Sequence, residues 1–366
     1  MTSAEPGKQE IGLPMRSFSW ETACKRRLAR NHLLEPVPRD RLVDAVRTVG
    51  GIQAQILSAA ELAIGVRVAG VTRQDVQAEL WERHSLVKTY GPRGTLHLLP
   101  ADELPLWMAA LQACAMLREP QWYAAAGLEP EQADALLDAM GEALDRRCLT
   151  RQELAEEVTR RVGEWARERL LSSWGEFLTP AAFAGQLCFG PSKGSQVTFV
   201  RADQWIGYWQ DRDPGEALTE ICRRYFAAYG PATPQDFAHW FWLKPGEARR
   251  VMASLTDELE EVDLAGYRAW MLATDAREEW EAQFGSLRLL AQYDCYILGC
   301  GPRERIVPDA ARIRVSTHGR GRFEGATALP VLLIDGVVAG MWERRKRGSR
   351  IELRVEPFSQ LAPLQH

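Results

Sequence analysis

The sequence lacks several features that would assign the protein to a defined class. No apolar run approaches the ~20 residues that a membrane-spanning helix needs, so a membrane protein is not expected. The seven cysteines are scattered and form no Cys-x-x-Cys pair, which indicates neither a zinc site nor a disulfide framework. The sequence also contains no phosphate-binding Gly-rich loop and no Ser-His-Asp arrangement, so we expect no metal and no cofactor.

Length and composition are those of a protein with a packed interior. The 366 residues are enough for two or three domains, and 46% hydrophobic with 26% charged residues are ordinary values for a globular protein. Residues 1–15 are polar, contain Gly and Pro, and have no signal-peptide core, so we expect a flexible N-terminus. The reducing cytoplasm is the expected compartment.

Negative charge slightly exceeds positive charge over the whole chain, but positive charge is concentrated near the C-terminus. The formal net charge is −4 and the pI is about 6.0, which argues weakly against nucleic-acid binding if the charge is spread evenly. Between Arg303 and Arg354, however, twelve Lys or Arg residues stand against six Asp or Glu residues, a difference of +6. Such a segment is either a solvated face or a surface that follows phosphates, and charge alone leaves both open.

Helical patterns alternate with short strand patterns along the chain. Three successive rounds of helices, each closing with strands, predict tandem winged-helix units. The predicted fold class is mainly α with small β-hairpins (α+β): three tandem winged-helix units plus a small C-terminal β-sheet. The main predicted elements are helices 20–31, 39–49, 130–145, 180–187, 216–229 and 245–255, hairpin 86–90/95–99, strand 196–200, strand pair 259–263/267–271, and C-terminal strands 330–334, 337–342 and 351–355.

The helix starts and the ends of the rounds also predict domain boundaries. Thr72, Thr150 and Thr233 each precede an acidic residue three positions later and are predicted to cap helices. The predicted division is a flexible N-terminus 1–15, winged helix one 16–125, winged helix two 126–212, winged helix three 213–285 and a β-rich basic segment 286–366.

Two glutamines, Gln53 and Gln55, lie one residue apart in a short connection between predicted helices. Gly50 and Gly51 end the preceding helix, because glycine is costly inside a helix and tolerates the left-handed turn that closes one. The next helical pattern begins near Ser58, which we take as its N-cap. Residues two apart share one face of an extended segment, so both amides can point into one pocket. The alternative, that they cap helix ends or face water, stays open.

Seven short motifs occur in order along the chain: 51–55 (GIQAQ), 93–98 (RGTLHL), 173–175 (SWG), 187–191 (LCFGP), 229–232 (YGPA), 293–299 (YDCYILG) and 335–342 (DGVVAGMW). Together they resemble the winged-helix DNA glycosylases of the AlkZ and YcaQ type, and the match covers nearly the whole chain. The family's active site is a Gln-x-Gln motif in the AlkZ branch and Gln-x-Asp in the YcaQ branch. Gln53 and Gln55 match the AlkZ form and are the predicted catalytic residues.

The resemblance implies a C-shaped monomer that holds double-stranded DNA and hydrolyses the N-glycosidic bond of N7-alkylated purines. Alkylation at N7 makes the base cationic and a good leaving group, so two neutral amides suffice to position a water and stabilise an oxocarbenium-like sugar. Several relatives protect producers of DNA-alkylating antibiotics. Bulky adducts or interstrand cross-links, DNA repair with self-resistance, and a bacterial cytoplasmic location at the nucleoid are therefore implied.

Three segments are predicted to contact DNA. The turn 91–94 gives the first hairpin a basic tip, and His97 faces opposite to its neighbours in the strand. The Gly-rich segment 316–322 is either a DNA-contacting loop or a free surface loop. The basic run after Trp342 is placed at a hairpin tip, in contact with phosphate or in solvent. The predicted contacts are Lys88, Arg93, Thr95, His97, His318, Arg320, Arg322, Arg344, Arg345, Lys346 and Arg347.

Two departures from the family pattern and two alternative functions accompany this interpretation. Ile56 and Leu57 follow the second glutamine where the family usually has a polar residue and proline, which leaves the pair intact but alters the neighbouring wall. The sequence 90–92 (YGP) can reshape the wing tip.

A non-catalytic winged-helix regulator is one alternative, although helix 150–160 carries three acids and fits the major groove poorly. A resistance protein that sequesters a DNA-active small molecule is the other.

Overall fold

The fold is a mixture of α-helices and small β-sheets, as the sequence predicts. The computed structural model describes residues 15–114, 127–172, 177–280, 285–309, 311, 329–348 and 350–360. Within these ranges lie three three-stranded sheets and one four-stranded sheet. None of the helices in the described ranges has the length and apolar character needed to cross a membrane.

The first sheet holds the Gln-x-Gln connection. The predicted hairpin is confirmed: strand β3 (Leu86–Tyr90) pairs antiparallel with β4 (Leu96–Pro100), and β2 (Ile52–Gln53) pairs with the other edge of β4. Thr72 caps its helix as predicted, because its hydroxyl accepts the N–H of Asp75. The helices of this region are α1 Trp20–Arg30, α2 Leu42–Thr48, α3 Leu57–Gly65, α4 Arg73–Trp81 and α5 Leu104–Gln112.

The second sheet contains a strand that the sequence did not predict. Strand β6 (Cys188–Lys193) pairs with the predicted strand β7 (Gln196–Val200), and β5 (Leu149–Thr150) completes the sheet. Gly190 and Pro191 obscure the strand pattern, and the pairing register shifts after Gly190. The predicted helix 180–187 was wrong in its bounds. The helices are α6 Pro130–Ala143, α7 Arg151–Val162, α8 Trp165–Ser172, α9 Leu178–Phe183 and α10 Ala202–Ile206.

The third sheet joins two distant parts of the chain. The predicted pair β8 (Leu259–Leu264) and β9 (Tyr267–Leu272) is confirmed, and the short strand β1 (Ser17–Phe18) runs parallel to β8. No local pattern predicts a pairing of this kind. The helices are α11 Pro214–Tyr229, α12 Pro234–Phe241, α13 Pro245–Ala253 and α14 Ala273–Ala276.

The C-terminal sheet is antiparallel and has four strands. It includes the three predicted strands and a fourth, Leu287–Leu290, that was not predicted. The strand Val337–Arg347 continues through the basic run 344–347 instead of ending at Trp342, and the run lies at the end of the hairpin with Arg350–Pro357, beside the turn at Gly348. The elements are β10 Leu287–Leu290, α15 Cys295–Gly299, α16 Arg303–Ile306, β11 Val331–Ile334, β12 Val337–Arg347 and β13 Arg350–Pro357.

Buried arginines connect these regions. Arg67, just after α3, forms a doubly hydrogen-bonded ion pair with Asp294 at 2.7 and 2.8 Å, and neither side chain is exposed. In α1, Arg27 donates to the carbonyl oxygens of Tyr229, at 3.1 Å, and Gly301, at 2.7 Å. Such groups are stabilised in the interior only when they are paired or hydrogen-bonded, so these contacts fix the first region against the third sheet and the C-terminal segment.

Candidate active site

Gln53 lies in the short strand β2, as the predicted extended connection requires, whereas Gln55 follows in a bend before α3. Gly50 and Gly51 have φ values of 69° and 88° and turn the chain from α2 into β2. A Cβ on Gly51 would lie 2.5 Å from a side-chain carbon of Leu99, so the turn requires glycine on steric as well as conformational grounds. Gln53 then faces His97 in the β2–β4 pairing. The next helix begins at Leu57 with Ile56 as N-cap, so the assignment of Ser58 as N-cap was wrong.

Gln53 is held by an arginine from the facing hairpin. Its side chain is 7% exposed, and its Oε1 accepts a hydrogen bond from Nη2 of Arg93 at 3.1 Å. A guanidinium can only donate, so the oxygen of the amide must face Arg93 and the NH₂ group must point away. Arg93 itself donates through Nη1 to the carbonyl oxygen of Trp240 and has a φ of 61°. Arg93 therefore orients the Gln53 amide from a fixed position.

Gln55 is oriented by the same hairpin but remains accessible. Its side chain is exposed, and its Oε1 accepts the backbone N–H of Leu96 at 3.2 Å. This donor also leaves no choice of amide orientation, so the NH₂ group of Gln55 points away from β4. The two amide oxygens are thus bound by residues three positions apart in one hairpin. One glutamine is buried beneath the surface and the other lies on it.

An aromatic cluster lies behind this arrangement. The rings of Tyr225 and Trp240 have centroids 5.1 Å apart, and Trp107 lies 6.3 Å from Trp240. The hydroxyl of Tyr229 donates to the carbonyl oxygen of Val49 at 2.6 Å, immediately before the Gly-Gly turn. The turn and the Arg93 side chain are therefore supported by rigid, buried groups of α11 and α12.

His97 lies in the interior rather than on a DNA-facing surface. It is 4% exposed, and its Nδ1 lies 2.9 Å from the carbonyl oxygen of Thr95, which makes Nδ1 the protonated nitrogen because a carbonyl can only accept. Burial, with the nearby Arg93 charge, lowers the pKa of His97 to about 3, so the ring is neutral near pH 7. A Cβ on Gly91 would lie 2.8 Å from Nδ1 of His97. The structure therefore does not support the predicted DNA contact of His97.

The other hairpin residues predicted to contact DNA have partners within the protein. The ammonium of Lys88 lies 5.2 Å from the ring centroid of Phe189, and burial lowers its pKa. Thr95 donates to the carbonyl oxygen of Pro92 at 3.1 Å. Arg93 donates hydrogen bonds to Gln53 and to the carbonyl oxygen of Trp240. Burial, together with the charge of Arg303, lowers the pKa of Arg93 to about 10. Lys88, Arg93 and Thr95 are half-buried and have partners within the protein, and their predicted DNA contacts stay predictions.

The structure describes only one of the two basic segments near the C-terminus. His318, Arg320 and Arg322 lie outside the described residues. The run 344–347 is exposed, and its members alternate between the two faces of β12. Arg345 pairs with Glu343 at 3.1 Å and Arg347 with Glu352 at 3.6 Å. The DNA contacts predicted for Arg344, Arg345, Lys346 and Arg347 stay predictions.

Sequence reasoning identified the two glutamines but not the groups that orient them. Arg93 was assigned to DNA because the turn 91–94 gives the hairpin a basic tip. Its left-handed backbone conformation and its contact with Trp240, far along the chain, leave no local signal. Within the described ranges, no group of three or more His, Cys, Asp or Glu residues could hold a metal ion.

Comparison with known proteins places the chain in one family. Residues 46–365 match the family model described as "DNA glycosylase AlkZ-like". The chain is 35% identical over 351 residues to the "Interstrand DNA cross-link repair glycosylase" of Streptomyces sahachiroi, covering 93% of this chain and 91% of the relative. The solved structure of the S. sahachiroi DNA glycosylase AlkZ superposes with a TM-score of 0.85 at 33% identity, covering 95% of this chain and 94% of that one. The chain therefore belongs to the AlkZ-like DNA glycosylases, a family of hydrolases that act on glycosidic bonds.

Proposed function

We propose that this protein hydrolyses the N-glycosidic bond of N7-alkylated purines in double-stranded DNA, with a water positioned by Gln53 and Gln55. The observation that carries the proposal is the fixed orientation of both amides by donor-only groups, Arg93 and the Leu96 N–H. Preorganised dipoles of this kind stabilise developing charge without reorganisation during the reaction.

The chemistry requires little more than these amides. An N7-alkylated purine is cationic and leaves as a neutral base, so no general acid is needed. The transition state has oxocarbenium character, and a water must be aimed at the sugar carbon. A carbonyl oxygen has two acceptor sites, and each glutamine uses one of them for its orienting donor. The remaining site on each oxygen is suited to accept a hydrogen bond from the attacking water or to face the cationic sugar.

The natural substrates that we propose are bulky N7 adducts or interstrand cross-links made by a DNA-alkylating natural product. The name of the S. sahachiroi relative, an interstrand DNA cross-link repair glycosylase, supports this substrate class. Protection of a producing bacterium from its own product would be the biological role. Genes for an alkylating metabolite beside this gene would support that role, whereas their absence would favour general repair.

DNA binding is proposed to follow from the winged-helix architecture and the basic C-terminal segment. We infer that the three helix-and-sheet regions are tandem winged helices around a concave channel, which a monomer uses to hold the duplex. The exposed residues of the run 344–347 are the proposed phosphate contacts. The glycosylase family assignment does not favour a non-catalytic regulator or a drug-sequestering protein, and a titration of the drug without DNA would test the latter.

Base release from a defined lesion tests the function directly. Purified protein should release 7-methylguanine from a duplex that carries one such base, and should leave an abasic site. The Gln53→Ala, Gln55→Ala double variant is the matched control for contaminating activity. Failure of the wild-type protein to release any N7-alkylpurine, large or small, would overturn the proposal.

A further inference from the structure

A cleft of about 580 Å³ opens next to the Gln-x-Gln connection, between α3 and the C-terminal sheet. Ser58, Ala59 and Leu62 form the α3 side, and because they are spaced by one, three and four residues they share one face of the helix. Met341 and Arg344 of β12 are part of the opposite side. The Arg67–Asp294 ion pair fixes the end of α3 to the start of α15, so the two walls keep their spacing.

The cleft lies within reach of a base held by the glutamines. Ser58 follows Gln55 by three residues, and three residues of chain span at most about 10–11 Å. The Gln55 side chain is exposed, and the intervening Ile56 is 41% exposed. The cleft therefore begins within about 11 Å of Gln55, a distance that a bulky substituent can span.

The lining combines an apolar floor with a basic rim. Leu62 is 42% exposed although it lies in a helix against the sheet, and Ala59 and Met341 continue its surface. Glu343 at the rim is already paired with Arg345 at 3.1 Å. Arg344 lines the cleft and has no ion pair among the described residues. An apolar substituent on a DNA base fits both features, because the substituent matches the apolar floor and a backbone phosphate matches the basic rim.

We propose that this cleft binds the bulky apolar substituent carried on N7 of the alkylated purine, an aryl group on a short alkyl linker, with Arg344 at the adjoining phosphate. The inference rests on the proposed glycosylase function. Pockets for drug-sized ligands have volumes of roughly 300–1,000 Å³, so the cleft can take such a substituent whereas a methyl group leaves it empty. The cleft is therefore a determinant of adduct specificity and has no part in the hydrolysis itself.

Filling the cleft tests the inference. Leu62→Trp is compared with the wild type in single-turnover reactions on two duplexes, one with 7-methylguanine and one with N7-(2-phenylethyl)guanine. We expect a loss of about tenfold or more on the phenylethyl adduct, the scale on which a blocked apolar pocket discriminates, and a change below about twofold on 7-methylguanine. Leu171→Trp is the matched control, because Leu171 is also 42% exposed but does not line the cleft.

A second variant and a melting curve guard against a folding defect. Leu62→Asn removes the apolar contact without adding volume, and it should reproduce the selective loss in weaker form at an unchanged melting temperature. Equal losses on both substrates would assign the cleft to the DNA backbone, and no loss on either would leave it outside the substrate path; both results overturn the inference. If the wild type releases neither base, the glycosylase proposal itself fails, which is a separate outcome.

Discussion

Arg93 and Gln53, forty residues apart in sequence, share a hydrogen bond from Nη2 to Oε1 of 3.1 Å. The bond makes the orientation of a predicted catalytic amide depend on a residue that sequence patterns assign to DNA contact. Its consequences can be separated from phosphate binding by experiment.

Removing either glutamine should slow base release by about 10²-fold or more, the scale of losing one preorganised polar group at an active site. The two variants should differ in stability. Gln55→Ala removes an exposed side chain and should melt like the wild type. Gln53→Ala leaves a partly buried guanidinium donor unsatisfied and should reduce the free energy of unfolding by about 1–3 kcal/mol. Single-turnover rates and thermal melting on both variants measure this. Wild-type rates of base release in both variants would show that the active site lies elsewhere.

Replacing Arg93 should affect chemistry more than binding. Arg93→Gln removes the charged donor, and we expect base release to slow by about tenfold through a coupling to Gln53 of about 1.4 kcal/mol. The double variant with Gln53→Ala should be no slower than Gln53→Ala alone. A drop in DNA affinity with a reduced salt slope, at an unchanged single-turnover rate, would instead show that Arg93 contacts phosphate.

The rate of base release should be nearly independent of pH between about 5 and 9, since neither amide titrates and no carboxylate base is invoked. His97 has a pKa lowered to about 3, so it stays neutral above that value. Arg93 has a pKa lowered to about 10, so it stays charged until the pH approaches that value. Only then does its charged hydrogen bond to Gln53 weaken. A pH–rate profile on 7-methylguanine checks this. A step near pH 6 or 7 would indicate a titrating base that the amide mechanism does not contain.

The basic run in β12 should divide into two pairs of unequal importance. Arg344→Ala with Lys346→Ala should lower the slope of log K against log salt by about 2, close to 0.9 for each phosphate contact. Arg345→Ala with Arg347→Ala is the matched control and should lower it less, because both residues pair with glutamates. Binding of undamaged duplex at several salt concentrations gives the slopes. Identical slopes for wild type and both variants would place the whole run on the solvent side.

The buried ion pair should be essential to stability. Asp294→Ala leaves the Arg67 guanidinium unpaired in the interior and should cost about 3–5 kcal/mol of unfolding free energy. Asp44→Ala removes a half-exposed partner of Arg41 and Arg47 and should change stability by less than about 1 kcal/mol. Urea denaturation of both variants measures the difference. Comparable midpoints would show that the interior tolerates a lone guanidinium at this site.

Local signals in the sequence predicted local structure well. The caps at Thr72, Thr150 and Thr233 were confirmed, because a hydroxyl and an acid three residues apart satisfy the free N–H groups of a helix start within one turn. The hairpin at Leu86–Pro100 was also confirmed, because its signals, alternating apolar and polar residues and a Gly-Pro turn, lie within a few residues of one another.

Features that depend on distant partners were missed. The strand Ser17–Phe18 pairs with Asp263 and Leu264, and Arg93 donates to the carbonyl oxygen of Trp240, so both features depend on residues far along the chain. The burial of Gln53 has no signal in the local sequence, since burial there is set by how the sheet packs. The continuation of β12 through the basic run 344–347 was also missed, because pairing with β13 is what keeps these exposed residues in a strand.

The buried arginines of α1 also constrain the order in which the chain can fold. Arg27 and Asn31 are synthesised first, yet the carbonyl oxygens that accept their hydrogen bonds, from Ala228 to Gly301, are made 197 to 274 residues later. Until then the first helix has no interior to enter, and its charged groups stay in water. Contacts of such long sequence separation slow folding. The N-terminal helix of the nascent protein therefore cannot complete its buried hydrogen bonds until Gly301 has been synthesised.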